Sequence, residues 1–281
     1  MVRLRRDPLR IGAFEFNWGS RTYVMGIVNV TPDSFSGDGI TSVDAALERA
    51  RQMEADGADL IDVGAESTRP ETWTGPGLPE TEEIARVLPV IEAIARAVRV
   101  PVSIDTYKAA VARRAIAAGA GIVNDVFGLR RDPVMAAVVA EAGVPVIVMH
   151  NGATPAGADL VDEIRRGLEE SLALATGAGI DREQILIDPG IGFGKDREGN
   201  LEILRRLAEF RGIDCPILVG PSRKSFIGKT LDLPVGDRLE GTAAAVALSI
   251  AGGADVVRVH DVRAMVRVAR MADAIVRGTQ A

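Results

Sequence analysis

Gly57-Ala58-Asp59-Leu60-Ile61-Asp62-Val63-Gly64 contains a complete junction between a helix and a buried strand. The segment before it, 42 to 56, spaces its apolar residues as a helix does. Gly57 stands at its end, where the backbone can take a positive φ without a Cβ clash. A short apolar run, 60 to 65, follows at once, and then a loop rich in Gly, Pro, Ser and Thr, 66 to 79. Gly119 and Gly143 mark the same passage from helix to strand further along.

Working outward, similar apolar, β-branched runs recur at 24 to 30, 100 to 105, 121 to 126, 144 to 150, 185 to 189, 216 to 220 and 255 to 260. Between and after them, helical spacing appears at 80 to 97, 107 to 118, 132 to 142, 160 to 178, 200 to 211, 236 to 252 and 262 to 277. Strand followed by helix, eight times over, predicts an α/β fold, a (β/α)8 TIM barrel. Ahead of the first run, Phe14-Glu15-Phe16-Asn17-Trp18-Gly19 alternates apolar and polar residues around an Asn/Gly turn, which predicts an N-terminal β-hairpin closing the barrel bottom. An open doubly wound sheet shares the alternation, but no Gly-x-Gly-x-x-Gly opens the first unit. No linker or low-complexity stretch divides the chain, so residues 1–281 are expected to form one domain.

Composition supports this class and excludes others. A length of 281 residues lies near the roughly 250 of such barrels, and 47% hydrophobic side chains can fill one large core. Aromatics are only 4% while Gly numbers 30, which suits a helix-covered parallel sheet better than a β-sandwich. The lone Cys215 can form neither an internal disulfide nor a cysteine metal cluster, and reads as a buried thiol. The basic start lacks the apolar run of a signal peptide, and the Ala-rich stretch 243 to 257 is broken by Ser249, Gly252, Gly253 and Asp255, so a cytoplasmic location is expected. A net charge of -6 disfavours non-specific nucleic-acid binding, so an anionic substrate needs a local cluster of cations.

Nearly every apolar run ends in a polar residue: Asn29, Asp62, Asp105, Asn124 with Asp125, His150, Asp188, Ser222 with Arg223 and Lys224, and Arg258 with His260. Placing a charge beside an apolar core costs several kcal/mol unless it is paired or bound, so a ring of them predicts a ligand site on the barrel rim. Single members have another reading: Asp62 or Asp125 can cap a helix or pair with an Arg. His150 and His260 are the only histidines. A lone His is usually a hydrogen-bonded core or surface residue, and His260, two residues beyond Arg258 on one strand face, is the better functional candidate. Arg223, Lys224, Arg258 and His260 come from the last two strand ends, where barrels commonly bind phosphate. The long loops 29 to 41 and 66 to 79 read as lids or binding elements.

At these positions the sequence resembles the dihydropteroate synthase family. Asn29-Val30-Thr31-Pro32-Asp33-Ser34-Phe35-Ser36 resembles its first signature, and the stretch from Gly57 through Ala65-Glu66-Ser67-Thr68-Arg69-Pro70 its second. Ser103-Ile104-Asp105-Thr106, Asn124-Asp125, Met149-His150, Asp188-Pro189-Gly190-Ile191-Gly192-Phe193-Gly194-Lys195, Ser222-Arg223-Lys224-Ser225 and Arg258-Val259-His260-Asp261 follow in the family's order.

The resemblance implies an activity: joining 6-hydroxymethyl-7,8-dihydropterin pyrophosphate to p-aminobenzoate, giving 7,8-dihydropteroate and pyrophosphate. It implies that Asp105, Asn124, Asp188, Phe193 and Lys224 hold the pterin. Carboxylate and amide oxygens suit the donors on a pterin edge, and its carbonyl needs a donor such as Lys224. It places pyrophosphate on Asn29, Arg258 and His260, with Mg2+ near Asn29; Mg2+ takes oxygen ligands and often sits on substrate phosphates. It places p-aminobenzoate among Phe35, Thr68, Arg69, Pro70, Lys224 and Ser225. Asp105, Lys224, Arg258 and His260 are the catalytic candidates, and a homodimer is the family's expectation.

The chain departs from the family pattern at three points. It reads Ser36-Gly37-Asp38 where Asp often follows Phe-Ser, Gly64-Ala65 where Gly-Gly is usual, and Asn151-Gly152-Ala153 after His150 where Met often stands. Two other classes share parts of the pattern. One is a catalytically impaired pterin-binding homologue, which would keep Asp105, Asn124, Asp188 and Lys224. The other is the methyltetrahydrofolate-dependent corrinoid methyltransferases, which lack the Thr-Pro-Asp-Ser-Phe-Ser and Ser-Arg-Lys-Ser segments.

Overall fold

The computed structural model describes residues 7–30, 42–66, 77–153 and 157–278. A hairpin comes first, β1 (Leu9–Ile11) and β2 (Phe14–Phe16). Strands and helices then alternate: β3 (Tyr23–Asn29), α1 (Val43–Ala55), β4 (Leu60–Gly64), α2 (Glu80–Ala97), β5 (Val102–Asp105), α3 (Ala109–Ala117), β6 (Ile122–Asp125), α4 (Met135–Ala142) and β7 (Val146–Met149). The second half continues with α5 (Leu160–Gly177), β8 (Ile185–Asp188), α6 (Arg197–Arg205), β9 (Leu218–Val219), α7 (Ser225–Leu231), α8 (Leu239–Gly252), β10 (Val256–Val259) and α9 (Val262–Val276).

The eight strands β3 to β10 run parallel in the order β8-β7-β6-β5-β4-β3-β10-β9. A parallel bridge between Ile187 and Ile217 joins the two ends of that order and closes the barrel. Closure is thin because β9 is short: Pro216 and Pro221 flank it, and neither has an N–H for the ladder. The carbonyls take up the load. Pro216 O accepts from Ile187 N at 2.9 Å, and Ile217 O accepts from Asp255 N and Val256 N.

The strands read as continuous apolar runs because both of their faces are buried. Val24, Val28, Ile61, Val63, Ile104, Val148 and Ile187 pack outward against the helices. The alternate residues Tyr23, Met25, Leu60, Ile122, Ile147, Leu186, Leu218 and Val256 fill the barrel's lower interior, and Leu9 and Phe16 of the hairpin plug it from below. The predicted closing hairpin is present, with one correction. Its turn is Gly12-Ala13, not Asn17 to Gly19, and Phe14–Phe16 is its second arm. Gly12, at φ +59, supplies the positive φ that a two-residue hairpin turn requires.

Gly57, Gly119 and Gly143 take φ of +99, +114 and +64, as the helix-end reading requires. Cys215 is buried. Two helical expectations change. The predicted segment 200 to 211 begins earlier, at Arg197, and breaks after Arg205 into a 3-10 stretch, Leu207–Ile213. The added helix α7 follows Lys224, within a span that the apolar spacing had left unassigned.

Candidate active site

Side chains alternate across a strand, so the residues that continue the interior row upward emerge at the C-terminal mouth. Asp105 lies two beyond Ser103, Asn124 two beyond Ile122, Asp188 two beyond Leu186 and Arg258 two beyond Val256. Asp105 pairs in register with both Gly64 and Asn124, which sets the polar groups side by side. This is one rim, as expected.

Arg258 organises one side of it. Its Nε donates to Asp62 Oδ2 at 2.6 Å and its Nη2 to Asp105 Oδ2 at 2.7 Å. Asn124 Nδ2 donates to the same Asp62 oxygen at 3.1 Å, so the amide, both carboxylates and the guanidinium form one network. Of the two readings of Asp62, pairing with an Arg is the observed one. Burial pushes the Asp105 carboxyl up to about 7, against the pull of Arg258, and neighbouring Asp62 adds to the rise. The cation-for-anion, carboxylate-for-heterocycle division expected from the sequence is therefore blurred at Arg258, two of whose nitrogens face carboxylates.

The segment after β8 forms the opposite wall. Asp188 Oδ1 accepts from Gly190 N at 2.7 Å, and burial raises the Asp188 carboxyl against the opposing influence of Lys224, Lys195 and Arg258. Lys224 donates from Nζ to Ile191 O and lies 4.5 Å from the centre of the Phe193 ring. Its stem crosses the segment at Gly192, where a Cβ would stand 2.6 Å from Lys224 Cδ. Asn200 Oδ1 holds Gly192 N, fixing the segment from α6.

His260 is buried, with Nδ1 2.9 Å from Ser222 Oγ, and its backbone N–H donates to that same hydroxyl. Arg223 takes φ +55 and pairs with Asp261, the residue after His260, at 2.6 and 3.0 Å. Asp125 also departs from the interior row: it faces outward and accepts from the N–H groups of Phe127 and Leu129, holding the loop after β6. Asn29 ends β3 beside Gly64, and Ser225 opens α7 next to Lys224. Phe35, Thr68, Arg69 and Pro70 lie outside the described residues, as does Gly37-Asp38.

Ala65, the departure from Gly-Gly, is buried in the outer apolar cluster, and Val30 N still reaches Gly64 O at 2.7 Å. The tighter position is Gly64, where a Cβ would come 3.2 Å from Asp105 Cβ and press on that side chain. Sequence reasoning missed an ion cluster at the foot of the second loop. Lys108 Nζ lies 2.5 Å from both Glu66 Oε2 and Glu83 Oε2 and donates to Leu78 O. The signal was present: Glu83 sits on the buried stripe of α2 with Val87, Val90, Ile91 and Ile94.

Comparison with known proteins agrees with this geometry. Residues 25–260 match the family model of pterin binding enzymes, so fold and site define a pterin-binding barrel. The chain is 48% identical to the dihydropteroate synthase of Bacillus subtilis over 92% of its length and 90% of the relative's. It is also 48% identical to that of Clostridium beijerinckii, over 96% of this chain and all of the other. Among solved structures, the Clostridium difficile dihydropteroate synthase crystallised with pteroic acid superposes with a TM-score of 0.88 at 47% identity, covering 93% of this chain and 99% of that one. The Xanthomonas albilineans enzyme with 4-aminobenzoic acid gives 0.86 at 42%, covering 95% and 96%. The chain belongs to the dihydropteroate synthase family, whose members are transferases.

Proposed function

We propose that this rim joins 6-hydroxymethyl-7,8-dihydropterin pyrophosphate to p-aminobenzoate, releasing pyrophosphate and forming 7,8-dihydropteroate. One observation carries the reading: acceptors on Asp105, Asn124 and Asp188 share a mouth with the donors Lys224 and Arg258. The solved relatives hold pteroic acid and 4-aminobenzoic acid, a product-like molecule and the arylamine.

The pterin ring lies against Phe193, its N–H edge toward Asp105, Asn124 and Asp188 and its carbonyl toward Lys224. The diphosphate extends to Asn29, His260 and the Nη1 of Arg258, the nitrogen not used by Asp62 or Asp105. The carbon to oxygen bond of the pterin methylene breaks first, and pyrophosphate takes the bonding pair. Asp105 and Asp188 then stabilise the delocalised pterin cation, because fixed charges in a water-poor site act strongly on developing charge. The arylamine nitrogen attacks with its own lone pair and afterwards loses a proton to solvent. Phe35, Thr68, Arg69, Pro70 and Ser225 are the p-aminobenzoate contacts in this reading.

Mg2+ fits the donor set. Asn29 offers a hard amide oxygen at the end of β3, and this ion commonly combines few protein ligands with substrate phosphates. When bound it would neutralise charge on the departing diphosphate. No helix among the described residues is long and apolar enough to cross a membrane, and a cytoplasmic location is part of this proposal. Leu248 on α8 and Met271 and Ile275 on α9 are 62%, 63% and 71% exposed on adjoining helices, which supports a homodimer.

The test is to mix purified protein with the dihydropterin pyrophosphate, p-aminobenzoate and Mg2+ and to follow dihydropteroate. Product formation is expected. Pterin binding without turnover would instead favour an impaired homologue, and methyl transfer from methyltetrahydrofolate to a corrinoid would overturn the reading.

A further inference from the structure

Lys195 ends the Gly-rich segment after β8, and its ammonium lies between two rim turns. Nζ donates to the carbonyl oxygens of His150 and Gly190 at 3.0 and 3.1 Å and stands 3.0 Å from His150 Nδ1. Both turns lead directly to Asp188. His150 N donates to Asp188 O at 2.9 Å, and Gly190 N donates to Asp188 Oδ1 at 2.7 Å. One side chain thus ties the end of β7 to the turn that aims the Asp188 carboxylate.

The packing around this contact leaves no slack. A Cβ on Gly190, at φ +75, would lie 1.9 Å from His150 O and 2.9 Å from Lys195 Nζ. On Gly194 it would lie 2.5 Å from the Gly152 carbonyl carbon, and on Gly167 of α5 it would lie 2.6 Å from His150 Cδ2. Phe193 lies between Gly192 and Gly194, so its placement depends on the same turn.

We propose that Lys195 is a positioning residue for the pterin subsite, clamping the His150 and Gly190 carbonyls so that Asp188 and Phe193 present a fixed edge and wall. The inference rests on reading the rim as a pterin site. An ammonium has three N–H groups, and three acceptors meet it here: two carbonyls and the Nδ1 lone pair of a neutral imidazole. Burial, with the charges of Lys195 and Arg130, pushes His150 down to about 3, so the ring is neutral at working pH. Burial also pulls Lys195 down to about 7, against the attraction of Asp188 and with added repulsion from Arg130. Arg130 in turn pairs with Glu170 of α5. Above that pH the amine has only two N–H groups for three acceptors, and the clamp loosens.

The test is calorimetric titration of 6-hydroxymethylpterin into wild type, Lys195→Met and His150→Leu, with steady-state kinetics beside it. Losing donors to charged or buried partners predicts an affinity for the pterin lower by about 10-fold or more in Lys195→Met. KM for p-aminobenzoate is expected to stay within about twofold, since the proposed arylamine contacts Phe35, Thr68, Arg69, Pro70 and Ser225 belong to neither of the two clamped turns. The ratio of the two pterin dissociation constants is expected to shrink between pH 6 and 8.5, as the wild-type ammonium loses its proton. Equal pterin affinities in a folded variant, or a pH-independent ratio with both substrates weakened alike, would overturn the proposal. Should Lys195→Met not fold, His150→Leu carries the same test, because it removes the ring acceptor and leaves both carbonyls. Failure of wild type to bind the pterin would overturn the site reading itself, an outcome distinct from equal binding by both proteins.

Discussion

Arg258 Nη2 stands 2.7 Å from Asp105 Oδ2, joining β10 to β5 across the two strands between them. The contact makes one guanidinium responsible both for the shape of the pterin edge and for charge at the mouth.

Arg258→Ala therefore strands two carboxylates, Asp62 and Asp105, without their cation. Breaking a buried pair in this way costs about 3 to 5 kcal/mol, and scanning fluorimetry is expected to register the fall in Tm. Turnover is expected to drop by at least about 10²-fold. Binding of a bare pterin is expected to weaken too. Unchanged pterin affinity would mean that Arg258 serves the anion alone.

Asp105 gives stability a pH dependence. Its folded pKa is raised by burial from 3.8 to about 7, so the protonated carboxyl is the form the fold prefers. The contribution is fully present below about 3.8 and is lost as pH rises through about 7. Asp105→Asn, which cannot ionise, is expected to gain in Tm relative to wild type between pH 4 and 8. The same substitution is expected to cut turnover by at least about 10²-fold, through loss of one electrostatic contact. A Tm difference that stays flat with pH would count against the assignment.

The end of β4 discriminates between two adjacent small residues. Ala65→Gly is expected to leave turnover near wild type, because the methyl lies in the outer cluster away from the mouth. Gly64→Ala brings a Cβ to 3.2 Å from Asp105 Cβ and is expected to lower kcat/KM by about 10-fold or more, since small misplacements of catalytic groups are costly. The reverse order of effects in steady-state assays would refute the geometry.

Lys108→Met leaves Glu66 and Glu83 buried against each other. Removing the shared cation is expected to destabilise by about 3 to 5 kcal/mol. Double replacement, Lys108→Met with Glu83→Gln, is expected to recover part of that loss. Chemical denaturation of the single and double variants measures both.

Much of the candidate site was legible in the strand ends. Asp105, Asn124, Asp188 and Arg258 stand on the interior row because a strand's period of two had already fixed their parity with Ser103, Ile122, Leu186 and Val256. The partner of Arg223 was not legible because it lies past the end of β9, where parity no longer applies and a positive φ turns the chain toward Asp261. Lys195 went unnoticed as a contact because its partners, the carbonyls of His150 and Gly190, leave no trace in side-chain patterns. The hairpin turn was misplaced for a related reason. Asn17 to Gly19 and Gly12-Ala13 both carry turn residues, and the pairing of Leu9 with Phe16 decided between them.

What the sequence determined by itself was periodic: eight apolar runs, the helices between them, and the polar residues at the ends, since hydrophobic burial acts on repeating patterns along the chain. What only the tertiary structure decided was partnership. Arg258 chose Asp62 and Asp105, Lys224 chose Ile191 O and the Phe193 ring, and Lys195 chose two backbone oxygens. Such pairings depend on distances of a few ångströms between segments far apart in sequence, which the closure of the barrel fixes and local residue order does not.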